Sequence, residues 1–209
     1  MPDIIHESCN FLINGAWNPA IFTIEWLSEN FSSLLANHEF ETQMRLGGPS
    51  EFRQKVIHKN KEYEVNIYPN PSRLLFQPEQ VNEKSLGFIQ ELSSQIVHTL
   101  EHTPLTAAGS NFVYRLTQGE RFCANEIERS EKQKETFAIA GLEELTSKKL
   151  QYTFSFPEYE INIIYNFLGD SKTLQYNFHY EHKQVLAIEN VISDFARSMK
   201  FNEKLIKEN

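Results

Sequence analysis

The sequence predicts an α+β protein built from an internally duplicated unit, an antiparallel run of strands followed by a helix, with pseudo-two-fold symmetry. Three observations carry that prediction. Residues 62–67 read EYEVNI and residues 158–163 read EYEINI. Asn10-Phe11-Leu12-Ile13 is echoed by Asn111-Phe112-Val113-Tyr114. A helical pattern through Phe88, Leu92, Ile96 and Leu100 returns through Ile188, Ile192, Phe195 and Met199. The offsets are 101, 96 and about 100 residues, as expected of two copies that differ by short loops. On this reading residues 1–105 form the first half and 106–209 the second. The two halves share one compact globular unit.

The elements follow from periodicity. Residues 8–14 read as a short strand ending at the turn pair Asn14-Gly15. After Pro19, the residues Ile24, Leu27, Phe31, Leu34 and Leu35 fall at helical spacing, with Thr23 placed to cap the helix. Alternating segments at 39–46, 51–58, 62–69 and 72–78 are separated by turn-forming Gly, Pro and Asn clusters, so they read as antiparallel strands. Residues 83–101 form an amphipathic helix. The join HTPLTAAGS (102–110) marks the repeat boundary, and a strand at 110–117 opens the second half. Residues 128–135 are a solvated charge run, followed by a helix around GLEELTSKK. Strands are expected at 149–156, 158–167 and 173–181, with Leu168-Gly169-Asp170 as a turn, and a closing helix at about 184–206.

Composition narrows the function classes. With 40% hydrophobic and 23% charged residues the chain is an ordinary globular one rather than a disordered segment. Its net charge of −8 argues against broad nucleic-acid binding, which needs clustered Lys and Arg. The acidity is uneven. Residues 1–105 carry 13 acidic and 7 basic groups, whereas 106–209 carry 15 and 13, so the first half supplies −6. Two cysteines, Cys9 and Cys123, make no disulfide framework and suit a reducing cytoplasm. The opening MPDIIHES lacks the pattern of a signal peptide, and no apolar run is long enough for a membrane helix.

The candidate site residues come from the repeated strands. Glu62, Glu64 and Asn66 alternate in the first copy, and Glu158, Glu160 and Asn162 in the second. Brought together, they would form an acidic patch for a cation or a basic partner segment, or paired carboxylates for acid–base work. The same alternation is also what any half-exposed strand requires. His98 and His102 stand at metal-ligand spacing, yet a helix C-terminus favours imidazolium without a metal. His179 and His182 fall on opposite faces of a strand. Tyr176, Phe178 and Tyr180, with Phe154 and Phe156, make an aromatic stripe that suits a core better than a base-stacking platform. Aspartate occurs only at Asp3, Asp170 and Asp194, and the eight glycines form no GxGxxG or P-loop. No catalytic, metal or cofactor motif is present.

The duplicated layout resembles the tandem saddle of TATA-binding proteins and the strand-meander-plus-helix layout of SecB-like chaperones. The resemblance is one of layout alone and implies no functional residues. The expected function is a non-enzymatic protein-interaction module, such as an adaptor, assembly factor, regulator or inhibitor, with a protein partner or a second copy. The alternative is a small-ligand-binding protein or enzyme with its site between the halves. A nucleic-acid accessory role is the weaker alternative.

Overall fold

The computed structural model describes residues 3–35, 38–45, 55–116, 132, 147–168, 171–181 and 184–207. The described strands are β1 (Asp3–Ile4), β2 (Asn10–Gly15), β3 (Phe40–Arg45), β4 (Lys55–Asn60), β5 (Val65–Asn70), β6 (Arg73–Pro78), β7 (Leu105–Arg115), β8 (Ser147–Ser155), β9 (Glu160–Leu168) and β10 (Ser171–Glu181). They form one antiparallel sheet in the order β3-β4-β5-β6-β2-β7-β10-β9-β8, with β1 added alongside β7. The helices are α1 (Ile24–Asn30), α2 (Ser32–Leu35), α3 (Glu83–Thr99), α4 (Gln184–Glu189) and α5 (Val191–Lys207). The protein is thus mixed α+β. No helix among the described residues is long and apolar enough to cross a membrane.

Local chemistry explains the boundaries. Thr23 accepts a hydrogen bond from the Trp26 amide and starts α1. Asn82 and Ser85 exchange side-chain and backbone hydrogen bonds in a capping box that starts α3. The expected strand at 62–69 begins only at Val65. Asn60 Oδ1 accepts from the Tyr63 amide, and Glu64 adopts φ 52, so residues 61–64 are a turn. The strand expected at 110–117 starts earlier, at Leu105, because Gly109 lets β10 approach: a Cβ there would lie 2.1 Å from the Phe178 carbonyl oxygen. The closing helix breaks at Asn190, whose side-chain amide donates to the Leu186 carbonyl. The turn at 168–170 and the segments 128–135 and 141–146 lie wholly or largely outside the described residues.

The core lies between one face of the sheet and α3, α4 and α5. Phe76, Phe11 and Ser110 are consecutive cross-strand partners and therefore share that face. Leu74, Ile67, Phe112, Tyr176 and Phe178 join them, all buried. Leu86, Ile89, Leu92 and Ile96 of α3 are buried against this face. The aromatic stripe is core only in part. Tyr176, Phe178 and Tyr180 are buried, whereas Phe154 and Phe156 are 49% and 45% exposed because β8 ends the sheet.

Candidate functional site

Strand alternation assigns every second residue to the sheet face away from the helices. On that face cross-strand pairing sets one straight row. Glu41 pairs with Lys59, Lys59 with Asn66 and Asn66 with Gln77. One step beyond the Phe11–Phe76 pair, Gln77 lies level with Asn10. Asn10 then pairs with Asn111, Asn111 with Asn177, Asn177 with Asn162 and Asn162 with Thr153. Six consecutive strands thus contribute a side-chain amide at the same height. At strand spacing the six span about 24 Å.

The amides are bonded to one another in one direction. Thr153 Oγ1 donates to Asn162 Oδ1 at 2.6 Å, and Asn162 Nδ2 to Asn177 Oδ1 at 3.0 Å. Asn177 Nδ2 donates to Asn111 Oδ1 at 2.8 Å, and Asn111 Nδ2 to Asn10 Oδ1 at 2.9 Å. Gln151 and Gln175 donate into the same row, at Asn162 and Asn111. On the β6 side Gln77 is held differently, accepting from the Tyr68 hydroxyl at 2.8 Å and donating to the Glu7 carbonyl. Amides aligned head to tail polarise each other, which fixes their orientation. Asn162, Asn177 and Asn111 each donate one of their two hydrogens along the row and keep the other for a further acceptor. The chemistry is neutral: a carboxamide does not titrate near neutral pH and is not a nucleophile. Such a row can hold a polar group in place but cannot move its protons.

The residues singled out in the sequence are spread over this sheet. Asn66 and Asn162 both stand in the row, five strand steps and about 24 Å apart. Glu62 and Glu64 lie in the turn before β5, off the strand face. Glu62 pairs with Lys84 of α3 at 2.8 Å, and Lys84 also lies over the Tyr63 ring at 5.0 Å. That ion pair holds the Glu62 carboxyl below its usual range. Glu158 lies in the bend before β9, and Glu160 accepts from Ser155 Oγ at 3.1 Å. The four carboxylates are not gathered at one point. Asn10, Asn111, Asn177 and Gln77 were not singled out. Their signal was the asparagine that opens both echoed segments, at 10 and 111.

A second polar cluster lies beneath the sheet. Asp194 of α5 has no exposed surface. It accepts from the Tyr180 hydroxyl at 2.9 Å, Arg197 Nη1 at 3.0 Å and Ser110 Oγ at 3.3 Å. Burial pushes its carboxyl up to about 7 against these donors, and burial likewise raises the Tyr180 hydroxyl. Four residues on, Ser198 lies 2.6 Å from the Tyr114 hydroxyl. Four further on, Asn202 accepts from the Tyr176 hydroxyl at 2.8 Å. These contacts dock the helix. A small cavity nearby is lined by Phe11, Ile89, Phe112 and Val191 together with Cys9 and Ser110, and burial pushes the Cys9 thiol up to about 11. His58 is buried, its Nδ1 3.0 Å from Thr42 Oγ1, and burial lowers its pKa. Among the described residues no three His, Cys, Asp or Glu side chains are grouped to hold a metal ion.

No family model matches the chain, and no curated protein matches it in sequence.

Proposed function

We propose that this chain is a non-enzymatic protein-interaction module, an adaptor, assembly factor, regulator or inhibitor, whose recognition surface is the sheet face that carries no helix among the described residues. The observation that carries the reading is the row of amides across six adjacent strands. Neutral donors and acceptors at strand spacing match the peptide groups, amides and hydroxyls of a polypeptide surface. Leu12, Leu75 and Val113, half-buried on the same face, supply apolar contact beside them.

We further propose that this face arose from an internal duplication. The strand order from the centre outward is β2-β6-β5-β4 on one side and β7-β10-β9-β8 on the other, which supports that reading. So does the pairing of Asn10 with Asn111, the first residues of the two echoed segments, across the central strand pair. Val65 and Ile161, equivalent in the second echo, pair with Pro78 and Phe178 at corresponding places in the two halves.

The test is capture of partners from the source cells by tagged wild type, by an Asn66→Arg/Gln175→Arg variant and by a Lys84→Ala control. Wild type and control should retain the same protein at stoichiometric yield while the face variant loses it, with all three melting alike. A partner retained equally by the face variant would overturn the assignment.

A further inference from the structure

The sheet ends differently on its two sides. Beyond β4 lies β3, whereas beyond β8 no further strand lies among the described residues. The ladder shows which groups of β8 face outward. The Phe156 amide donates to the Tyr159 carbonyl, so Phe156–Tyr159 is a hydrogen-bonded pair with β9. Bonding alternates along an antiparallel ladder, so Phe154 and Tyr152 also bond to β9. The backbone groups of Gln151, Thr153 and Ser155 therefore point away from the sheet. Beside them Tyr152, Phe154 and Phe156 are 43%, 49% and 45% exposed on the helix side. A nine-residue edge with exposed aromatics and no proline templates strand addition unless something covers it.

The geometry points to a second copy of this chain as the occupant, joined by antiparallel pairing of β8 with β8 about Thr153. In that register Gln151 faces Ser155 of the other copy, Tyr152 faces Phe154 and Leu150 faces Phe156. Across residues 150–156 the apolar side chains thus meet only apolar ones, and the polar side chains only polar ones. Lys148 falls opposite Glu158, so the basic start of each strand meets the acidic turn of its partner rather than another lysine. Shifting the register by two residues sets Lys148 against Phe156 one way and Leu150 against Glu158 the other, and either loses this match. The outward groups of residues 151, 153 and 155 then form about six backbone hydrogen bonds. Thr153, the last member of the amide row, becomes the point where the rows of two copies meet. The pairing is isologous and closes on itself, so it yields a dimer and not a fibre.

Register-specific crosslinking tests this, in a Cys123→Ser background where the remaining Cys9 is buried. Thr153→Cys places two thiols across the axis with Cα atoms about 5.5 Å apart, inside the roughly 4.4–6.8 Å that a disulfide spans. Gln151→Cys places them about 13 Å apart. Mild oxidation should couple the first and leave the second uncoupled. Sedimentation equilibrium should give twice the 24.4 kDa chain mass, falling to one chain in Phe154→Lys and in Thr153→Pro. Both variants should keep the wild-type circular dichroism spectrum, since they alter an outer edge. A chain that stays monomeric at all concentrations, including one whose β8 is instead filled by another protein, overturns the proposal. Equal coupling of both cysteine variants also overturns it.

Discussion

Helices α3 and α5 cover the same face of the same sheet, yet they are held by different chemistry. Against β5 and β6, α3 lays down Leu86, Phe88, Ile89, Leu92 and Ile96, with Tyr63 stacked on Phe88 at 4.3 Å between ring centroids. Against β7 and β10, α5 presents Asp194, Ser198 and Asn202, one per turn, each meeting a tyrosine hydroxyl from the sheet. Ile192 and Phe195 pack beside them. The difference teaches what each mode provides. Apolar burial is strong but indifferent to a small slide of the helix. Three tyrosine contacts at four-residue spacing are individually modest, yet only one register satisfies all of them.

The largest effect should come from the apolar side. Leu92→Ala removes a side chain with no exposed surface and should cost about 3 kcal/mol, lowering Tm by roughly 6–12 °C in a thermal melt. On the polar side Tyr176→Phe leaves the Asn202 oxygen without its tyrosine donor and should cost about 1–2 kcal/mol in urea unfolding. Adding Asn202→Leu should restore part of that loss. A double variant less stable than the single one would break the distinction drawn here.

Asp194 gives the polar interface a pH signature. Its carboxyl is pushed up to about 7 in the fold, from 3.8. Between those values the folded chain holds a proton that the unfolded chain has released, so this group's contribution to stability falls as pH rises. The buried His58 works the other way: its pKa is lowered, so stability falls as pH drops through the usual histidine range. The difference in Tm between wild type and Asp194→Asn should therefore decline from pH 4 to 7, which a series of melts will show. A flat difference would remove Asp194 from the account. The smallest effect belongs to the surface. Lys84→Ala breaks an exposed pair with Glu62 and should leave Tm unchanged within error.

Most of the elements were legible because each rests on local signals. Thr23 as a cap, the amphipathic run of α3 and the alternation of β6 and β10 need no knowledge of the rest of the chain. The turn at 61–64 was misread because Tyr63 continues the alternation of Val65 and Ile67 even though Glu64 leaves the strand conformation. The amide row was hidden for a different reason. Asn10, Gln77 and Asn111 become neighbours only through pairings that span 67 to 101 positions, and register is a property of the assembled sheet. The stripe of Asp194, Ser198 and Asn202 was present at helical spacing. Reading only apolar periodicity selected Ile192, Phe195 and Met199 instead.

The position of β2 also bears on how the chain is made. It lies between β6 and β7, so its two neighbours are supplied some sixty and a hundred residues after it has been synthesised. While the ribosome is still adding α3, a meander of β3 to β6 can close on one flank of β2, leaving the other flank open until Leu105–Arg115 emerges. Folding is therefore slow to complete and most vulnerable to aggregation in that interval. A chain truncated just after Thr99 should be captured by chaperones far more strongly than the full-length protein.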